Sequence, residues 1–503
     1  MKNVIKLLSL CFLVLGVQTH AQQQKDIKKM NILLIMVDDL NTMVGAFDGS
    51  AITPNIDALA KESLQFNEAY AVSPSCNPSR AAMMTGLRPE VTKVYNNGIP
   101  FRSTPESKNL ITLPQLLKGN GYNSIMAGKI FHGRRRTEPK PRPESDPISW
   151  TFQAGIETGN YTGKNFKKEF LDENKVPLWI RRGFGVPDEQ AKKSIKSTWN
   201  YGPTDVDPSN TLDFNTAEFG SAFLNKDLSH PEVAKAPRVD EKPFFLALGI
   251  FRPHIPMIAP KQFFDMYETP ENKHRIELPN YPADDLDDLP KSAPSGLKWF
   301  LKYVKPYPEE HKRLRHAYLA STTYADAAVG IILDGLKKSG LEDNTIIVFM
   351  GDHGYQLGMK ERLGKAVLWR GSSRTPMLIK VPGKPIGKVN EPVSMIDIYP
   401  TLVEMTSVKA PHKLAGESLV PFINNPKAKR DIPAIVTSTS PRQHVSIVQD
   451  QWNYINYVNG DEELYDHTND PQELNNLLSP QKTNAHFRKV ADELKKLIPK
   501  NRT

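Results

Sequence analysis

The sequence predicts an α/β fold: a large mixed sheet with helices on both faces, joined to a smaller C-terminal α+β part with an antiparallel sheet. Three observations lead there. Unbroken apolar runs recur from residue 31 to about residue 380, as strands covered on both faces do. Helical segments alternate with them. After about residue 410 the runs become short and closely spaced and end in one helix.

In chain order, Asn31 to Val37 is the first strand, and it stops at Asp38-Asp39. Thr53-Pro54 opens a helix that runs through Ala60. Phe66 to Val72 reads as a short strand leading to Cys76, and from Pro78 the run Ser79 to Met84 favours a helix ended by Gly86. Leu113 to Lys118 is helical, and Asn123 to Ala127 is a strand that stops at Gly128-Lys129. Residues 133–240 are polar and rich in Pro and Asn, and they read as an insertion of loops and short helices. Residues 255–310 form a second Pro-rich insertion.

Between the insertions, Pro243 to Gly249 is a buried strand followed by Phe251-Arg252-Pro253-His254. Lys312 to Lys338 is a long helix, and Thr345 to Met350 is a strand ending in Gly351-Asp352-His353-Gly354. Met377 to Lys380 is short and apolar, and Ser394 to Met405 is a helix. Ala434 to Thr437, His444 to Val448 and Trp452 to Val458 are short strands, with a last helix near 484–498. The expected organisation is a leader over residues 1–21, a main domain over 28–410 and a C-terminal subdomain over 411–503.

The leader has the parts of an export signal. Lys2 and Lys6 precede an apolar run from Leu7 to Val17, and Thr19-His20-Ala21 suits cleavage. The run is short for a membrane helix, so the expectation is an exported protein, periplasmic or secreted, with no membrane span. Cleavage removes Cys11 and leaves Cys76 as the one thiol, which excludes an intramolecular disulfide. Cys76 is then either an inert buried group or one with a chemical purpose. The net charge of +9 suits an anionic partner or plain solubility. There is no internal repeat, no Cys/His zinc spacing and no nucleic-acid motif.

Four polar clusters follow the carboxyl ends of apolar strands: Asp38-Asp39, Gly128-Lys129, Arg252-Pro253-His254 and Asp352-His353. Open α/β sheets bind ligands at that edge, so residues far apart in sequence would meet there. Converging carboxylates repel unless a cation offsets them, and a hard divalent ion with oxygen ligands does so.

Cys76-Asn77-Pro78-Ser79-Arg80, continued by Thr85-Gly86-Leu87-Arg88-Pro89, resembles the C-x-P-S-R signature of the formylglycine-dependent (type I) sulfatases. The other blocks resemble that family in order: Met36 to Leu40, Gly128 to His132, Arg252 to Pro256, Gly351 to Gly354 with Gly364-Lys365, and Glu463 to Leu477. The blocks at 128–132 and 252–256 resemble iduronate-2-sulfatase-like members. The segment Met359 to Leu363 departs from the Glu-His-Gly-Glu-Trp type of the iduronate-specific ones.

The resemblance implies an alkaline-phosphatase-like fold and hydrolysis of sulfate esters on sulfated polysaccharides or their oligosaccharides. It implies that a formylglycine-generating or sulfatase-maturating enzyme oxidises Cys76 to Cα-formylglycine (3-oxoalanine). The hydrated aldehyde attacks sulfur with one hydroxyl and releases sulfate by regenerating the aldehyde. One Ca²⁺ would be held by Asp38, Asp39, Asp352 and His353, with the modified Cys76 as a further ligand. Arg80 would fix the diol and carboxylates, and Lys129 and Lys365 would bind sulfate oxygens. His132 would take the proton of the second hydroxyl, and His254, with Lys365, would protonate the leaving oxygen. The run Arg134-Arg135-Arg136 would steer a polyanionic glycan or be a solvated loop. A phosphoester or phosphonate hydrolase with the same metal core, a catalytically inactive glycan-binding protein and a free-thiol hydrolase are the competing readings.

Overall fold

The computed structural model describes residues 29–47, 49–132, 146–155, 201–282, 284–297, 300–301, 304–439, 444–480 and 484–500. The expected leader and the Arg134–Arg136 run lie outside these residues.

Every residue of Asn31–Val37 (β1) is buried, which requires cover on both faces. Eight strands form the main sheet: β1, Leu64–Phe66 (β2), Asn123–Gly128 (β3), Phe152–Gln153 (β4), Phe244–Ile250 (β5), Thr345–Gly351 (β6), Met377–Lys380 (β7) and Gly387–Val389 (β8). Their spatial order is β8-β2-β7-β6-β1-β5-β3-β4. β1 lies parallel between β5 and β6, and β3 is parallel to both β5 and β4. β7 alone runs against its neighbours β6 and β2, which makes the sheet mixed.

Seven helices matter to the layers: Pro54–Lys61 (α1), Cys76–Thr85 (α2), Leu113–Gly119 (α3), Leu212–Leu224 (α4), Pro308–Lys338 (α5), Ile398–Met405 (α6) and Ala485–Lys495 (α7). Leu33, Ile35 and Val37 project from one face of β1 into a core shared with α4 and the second half of α5. Ile32, Leu34 and Met36 point the other way and are fully buried too. Helices α2, α3 and α6 pack together as a second group.

The 133–240 span contributes more than loops. Phe152-Gln153 is an edge strand of the main sheet, and α4 is a core helix of 13 residues. Helix α4 begins where the Thr211 hydroxyl caps it, in a polar context that hides its buried face. The strand expected over 66–72 is two short pieces, 64–66 and 69–70. The helix expected over 394–405 starts later. Ser394 and Asp397 form a capping box on a single tight turn that leads into α6.

The C-terminal part is a four-stranded antiparallel meander: Ala434–Thr437 (β9), Val445–Gln449 (β10), Trp452–Asn456 (β11) and Glu462–Asp466 (β12). Helix α7 packs on it through Ala491 and Leu494. β12 was not expected, because its sequence Glu-Glu-Leu-Tyr-Asp is mostly acidic. Its Glu463 is buried and accepts hydrogen bonds from Trp369 Nε1 (2.8 Å) and from the hydroxyls of Tyr457 and Tyr465. These bonds tie the meander to the segment that follows β6.

Gly128 and Gly249 face each other across β3 and β5. A Cβ on Gly249 would lie 2.1 Å from the Lys129 carbonyl oxygen, and one on Gly128 would lie 2.1 Å from the Gly249 oxygen. Gly128 also has φ +72°. The two glycines therefore let the chain turn out of β3 at Lys129 while still touching β5. Gly249→Ala should push these backbones apart at a cost of about 1–3 kcal/mol, read by denaturant unfolding. It should lower activity as well, because Lys129 moves with the backbone.

Candidate active site

The four strand-end clusters sit on β3, β5, β1 and β6, which are consecutive in the sheet and parallel. The ladder continues past the strands: Asp38 N–H donates to Ile250 O, Asp352 N–H to Val37 O and Lys129 N–H to Gly249 O (3.0, 3.2 and 2.9 Å). The carboxyl edge thus brings residues 38, 129 and 352 together, with His254 beside Asp38, as expected from sequence.

Helix α2 delivers Cys76. It begins at Cys76, two residues before the expected start, and Pro78 is tolerated because it lies in the first turn. Asn77 N–H and the Ser75 hydroxyl both donate to Asn97 Oδ1 at 2.9 Å, so a neighbouring loop supplies the helix cap. Cys76, Ser79 and Arg80 fall at i, i+3 and i+4 and share one face. Ser79 Oγ donates to Asp352 O (2.6 Å). Arg80, with no exposed surface, donates from Nε to Asp352 Oδ2 (2.8 Å) and from Nη2 to Asp38 Oδ1 (3.1 Å). Its Nη1 donates to the carbonyls of Lys129 and Ile130.

The fully buried Cys76 thiol meets Lys365 Nζ at 2.9 Å, His353 Nε2 at 3.4 Å, Lys129 Nζ at 3.7 Å and Asp39 Oδ1 at 3.8 Å. Lys129 also pairs with Asp38, and Lys365 with Asp39. Burial and Asp38 oppose ionisation of the thiol, yet Lys129 and Lys365 outweigh them and lower its pKa. Burial opposes the charge on Asp38 as well, but Lys129, His254 and Arg80 hold it well below the usual carboxylate range. Burial pushes Asp39 up to about 7 against the pull of Lys365. His353 is disfavoured as a cation by burial but is lifted to about 9, chiefly by Asp352.

His254 stands beside the two aspartates, its Nε2 3.9 Å from Asp38 Oδ2 and from Asp39 Oδ2. Its Nδ1 is 2.6 Å from Ile255 O. Burial, then Lys365 and Lys129, push its pKa well below the ordinary value. His132 lies in the field of Lys129, Asp38, Arg80 and Lys365. Its buried Nδ1 makes no hydrogen bond, and burial together with Lys129 pushes it down to about 3.

Two positioning residues gave no sequence signal. Tyr318, in the middle of α5, donates its hydroxyl proton to Asp39 O and accepts from Asn41 N–H, both at 2.8 Å. It braces Asp39, whose φ of 62° is left-handed for a residue with a side chain. Asp213, in the first turn of α4, accepts from the N–H groups of Phe251 (2.6 Å) and Arg252 (3.0 Å) and so fixes the loop carrying His254. Asp213→Ala removes the carboxylate that accepts from the N–H groups of Phe251 and Arg252. It should cost roughly 1–3 kcal/mol in denaturant unfolding and lower kcat more than it raises KM.

A sulfatase family model matches residues 30–408, and the model of the C-terminal region of N-sulphoglucosamine sulphohydrolase matches residues 358–501. A sulfatase of Formosa agariphila is 34% identical over 98% of this chain and 91% of its own length. The ulvan-active sulfatase of the same organism is 28% identical over 91% of this chain and 78% of its own. Iduronate 2-sulfatase of Mus musculus is 30% identical over 74% of this chain and 62% of its own. The solved phosphonate monoester hydrolase of Agrobacterium radiobacter has a TM-score of 0.68 at 21% identity, covering 93% and 95% of the two chains. That likeness is one of fold.

Proposed function

The chain belongs to the sulfatase family and is a sulfuric ester hydrolase; from that premise we propose that its esters are carried by sulfated polysaccharides or their oligosaccharides. The relatives named for ulvan activity and for iduronate 2-sulfate support the saccharide class. We further propose that Cys76 acts after oxidation to formylglycine by a maturation enzyme, and that one Ca²⁺ is held by Asp38, Asp39, Asp352 and His353 beside it. The protein would work outside the cytoplasm. Among the described residues no helix is long and apolar enough to cross a membrane.

The residues fit such an ion. Three buried carboxylates converge, and Asp39 Oδ2 is buried without a hydrogen bond. When bound, the cation draws charge from a sulfate oxygen, and the oxidised Cys76 supplies an oxygen nucleophile.

The other roles follow from the contacts. Lys129 and Lys365 flank position 76, where the non-bridging oxygens of a sulfate ester must lie, and they hold the charge that grows there. Arg80 keeps Asp38 and Asp352 in place with a rigid fork. His254 Nδ1–H donates to the Ile255 carbonyl, which leaves Nε2 to serve the leaving oxygen. A sulfate anion between this ring and the lysines offsets their depressing effect and lets Nε2 carry the proton. His132, held neutral, is available as the base.

The observation that supports this reading most is the thiol itself. It lies at the start of α2 within reach of two lysines, an imidazole and a carboxylate. Mass spectrometry of the Cys76 peptide from active protein should show CH₂SH replaced by CHO, and nitrophenyl sulfate should be cleaved far faster than nitrophenyl phosphate. Full activity with an intact thiol sinks the nucleophile. Faster phosphate or phosphonate cleavage moves the chain to the other hydrolase class, and saccharide binding without turnover makes it a binding protein. His254→Ala should cost about 10²-fold or more on a saccharide sulfate and much less on nitrophenyl sulfate, whose leaving group departs unprotonated. Equal losses on both substrates remove His254 from the acid role.

A further inference from the structure

Two kinds of ligand share one pocket here. Asp38, Cys76, Asp352 and His353 are all buried, and they offer ligand atoms that lie within 4.8 Å of one another. The carboxylates suit a hard cation. The thiol and imidazole suit a borderline-soft one. Oxidation of Cys76 removes the only sulfur from this set.

We propose that the chain with Cys76 still a thiol binds Zn²⁺ through Asp38, Cys76, Asp352 and His353, and that oxidation of Cys76 turns the pocket from a zinc site into one for a hard cation. This rests on Cys76 being the nucleophile's precursor. The spacing supports it. Zinc bonds to sulfur and nitrogen set the two ligand atoms about 3.6 Å apart at tetrahedral angles, and Cys76 Sγ and His353 Nε2 are 3.4 Å apart. His353 Nε2 lies 3.6 Å from Asp352 Oδ1, slightly wider than the N–O edge of about 3.4 Å that tetrahedral zinc sets.

The surroundings are those of a metal ligand set. His353 Nδ1 is tied to the Gly354 carbonyl at 2.8 Å, which fixes the ring and turns Nε2 to the thiol. Arg80 holds both aspartates. Lys129 and Lys365 compete for the sulfur, but each has a flexible stem and is also paired with a carboxylate, Asp38 or Asp39. A second group, Asp38, Asp39, Cys76 and His254, overlaps the first. It is the poorer site, because His254 Nε2 stands 3.9 Å from both carboxylates.

The test compares two forms of the full chain: one made without a maturation enzyme, its thiol verified by mass, and one converted. Zn²⁺ is titrated into each, and Co²⁺ is used as the optical probe. The thiol form should bind Zn²⁺ at least about 100-fold more tightly than the converted form or Cys76→Ser, and it alone should show thiolate-to-cobalt charge-transfer absorption. His353→Gln should weaken zinc at least ~10-fold, and His254→Gln should leave it nearly unchanged. Cobalt bound without the sulfur band, or equal zinc affinity in the two forms, overturns the proposal. So does a loss confined to His254→Gln. The converted form is itself a folded control without the thiol, so the outcome does not hang on a variant. Ca²⁺ titration of the converted form tests the calcium reading separately, and its failure leaves the zinc result standing.

Discussion

Cys76→Ala is expected to lower sulfate-ester turnover by at least ~10⁴-fold while the chain remains folded. The fold survives because little is removed. The thiol is small and lies at the first turn of α2, and the loss of a small buried group costs about 1 kcal/mol. The helix start is held by Asn97 rather than by residue 76. Arg80 and Ser79 keep α2 docked on the end of β6 through bonds that do not involve the thiol. Activity fails for a different reason, since no other described side chain takes the position that Lys129, Lys365 and His353 jointly address. Steady-state kinetics on nitrophenyl sulfate, beside a circular dichroism melt, reads both halves. Substantial residual turnover in a folded variant removes Cys76 from the chemistry.

Arg80→Met should be the most damaging single change to stability near the site. Arg80 is wholly buried, and it is the shared partner of Asp38 and Asp352. Methionine fills similar volume but leaves those carboxylates without their fork, and breaking a buried pair in this way costs about 3–5 kcal/mol. The carbonyls of Lys129 and Ile130 lose their donor as well. Activity should fall with stability, because the two aspartates no longer hold their orientation. Arg80→Lys should recover part of the stability and little of the activity, as one ammonium cannot bridge Asp38 Oδ1 and Asp352 Oδ2. Denaturant unfolding of Arg80→Met alone and combined with Asp352→Asn checks the cause. If the double variant is no more stable than Arg80→Met, the unpaired carboxylate is not the source of the damage.

The reach of the sequence followed from burial. β1, β5 and β6 are covered on both faces, so they appear as unbroken apolar runs whose ends are marked by charge. That made Asp38, Asp39, His254, Asp352 and His353 findable without a structure. Strands of two or three residues, such as 64–66, 152–153 and 387–389, carry no period to detect; their neighbours make them strands. Tyr318 and Asp213 escaped for another reason. Each acts through one hydrogen-bonding group on a residue hundreds or tens of positions away, and nothing local records that partner. His132 resembles a family base by position; its buried Nδ1 makes no hydrogen bond.

The complete burial of the Cys76 side chain has a consequence for how active protein accumulates. If Cys76 is oxidised as proposed, a maturation enzyme could grip that side chain only while α2 is unformed, so oxidation and folding would run a race that each molecule enters once. On the proposed chemistry, the active fraction of any preparation is the ratio of two rates. Cooler growth or a slower-folding variant would raise specific activity without altering a single catalytic contact. On that chemistry the molecules that fold first would be locked out, with their sulfur intact.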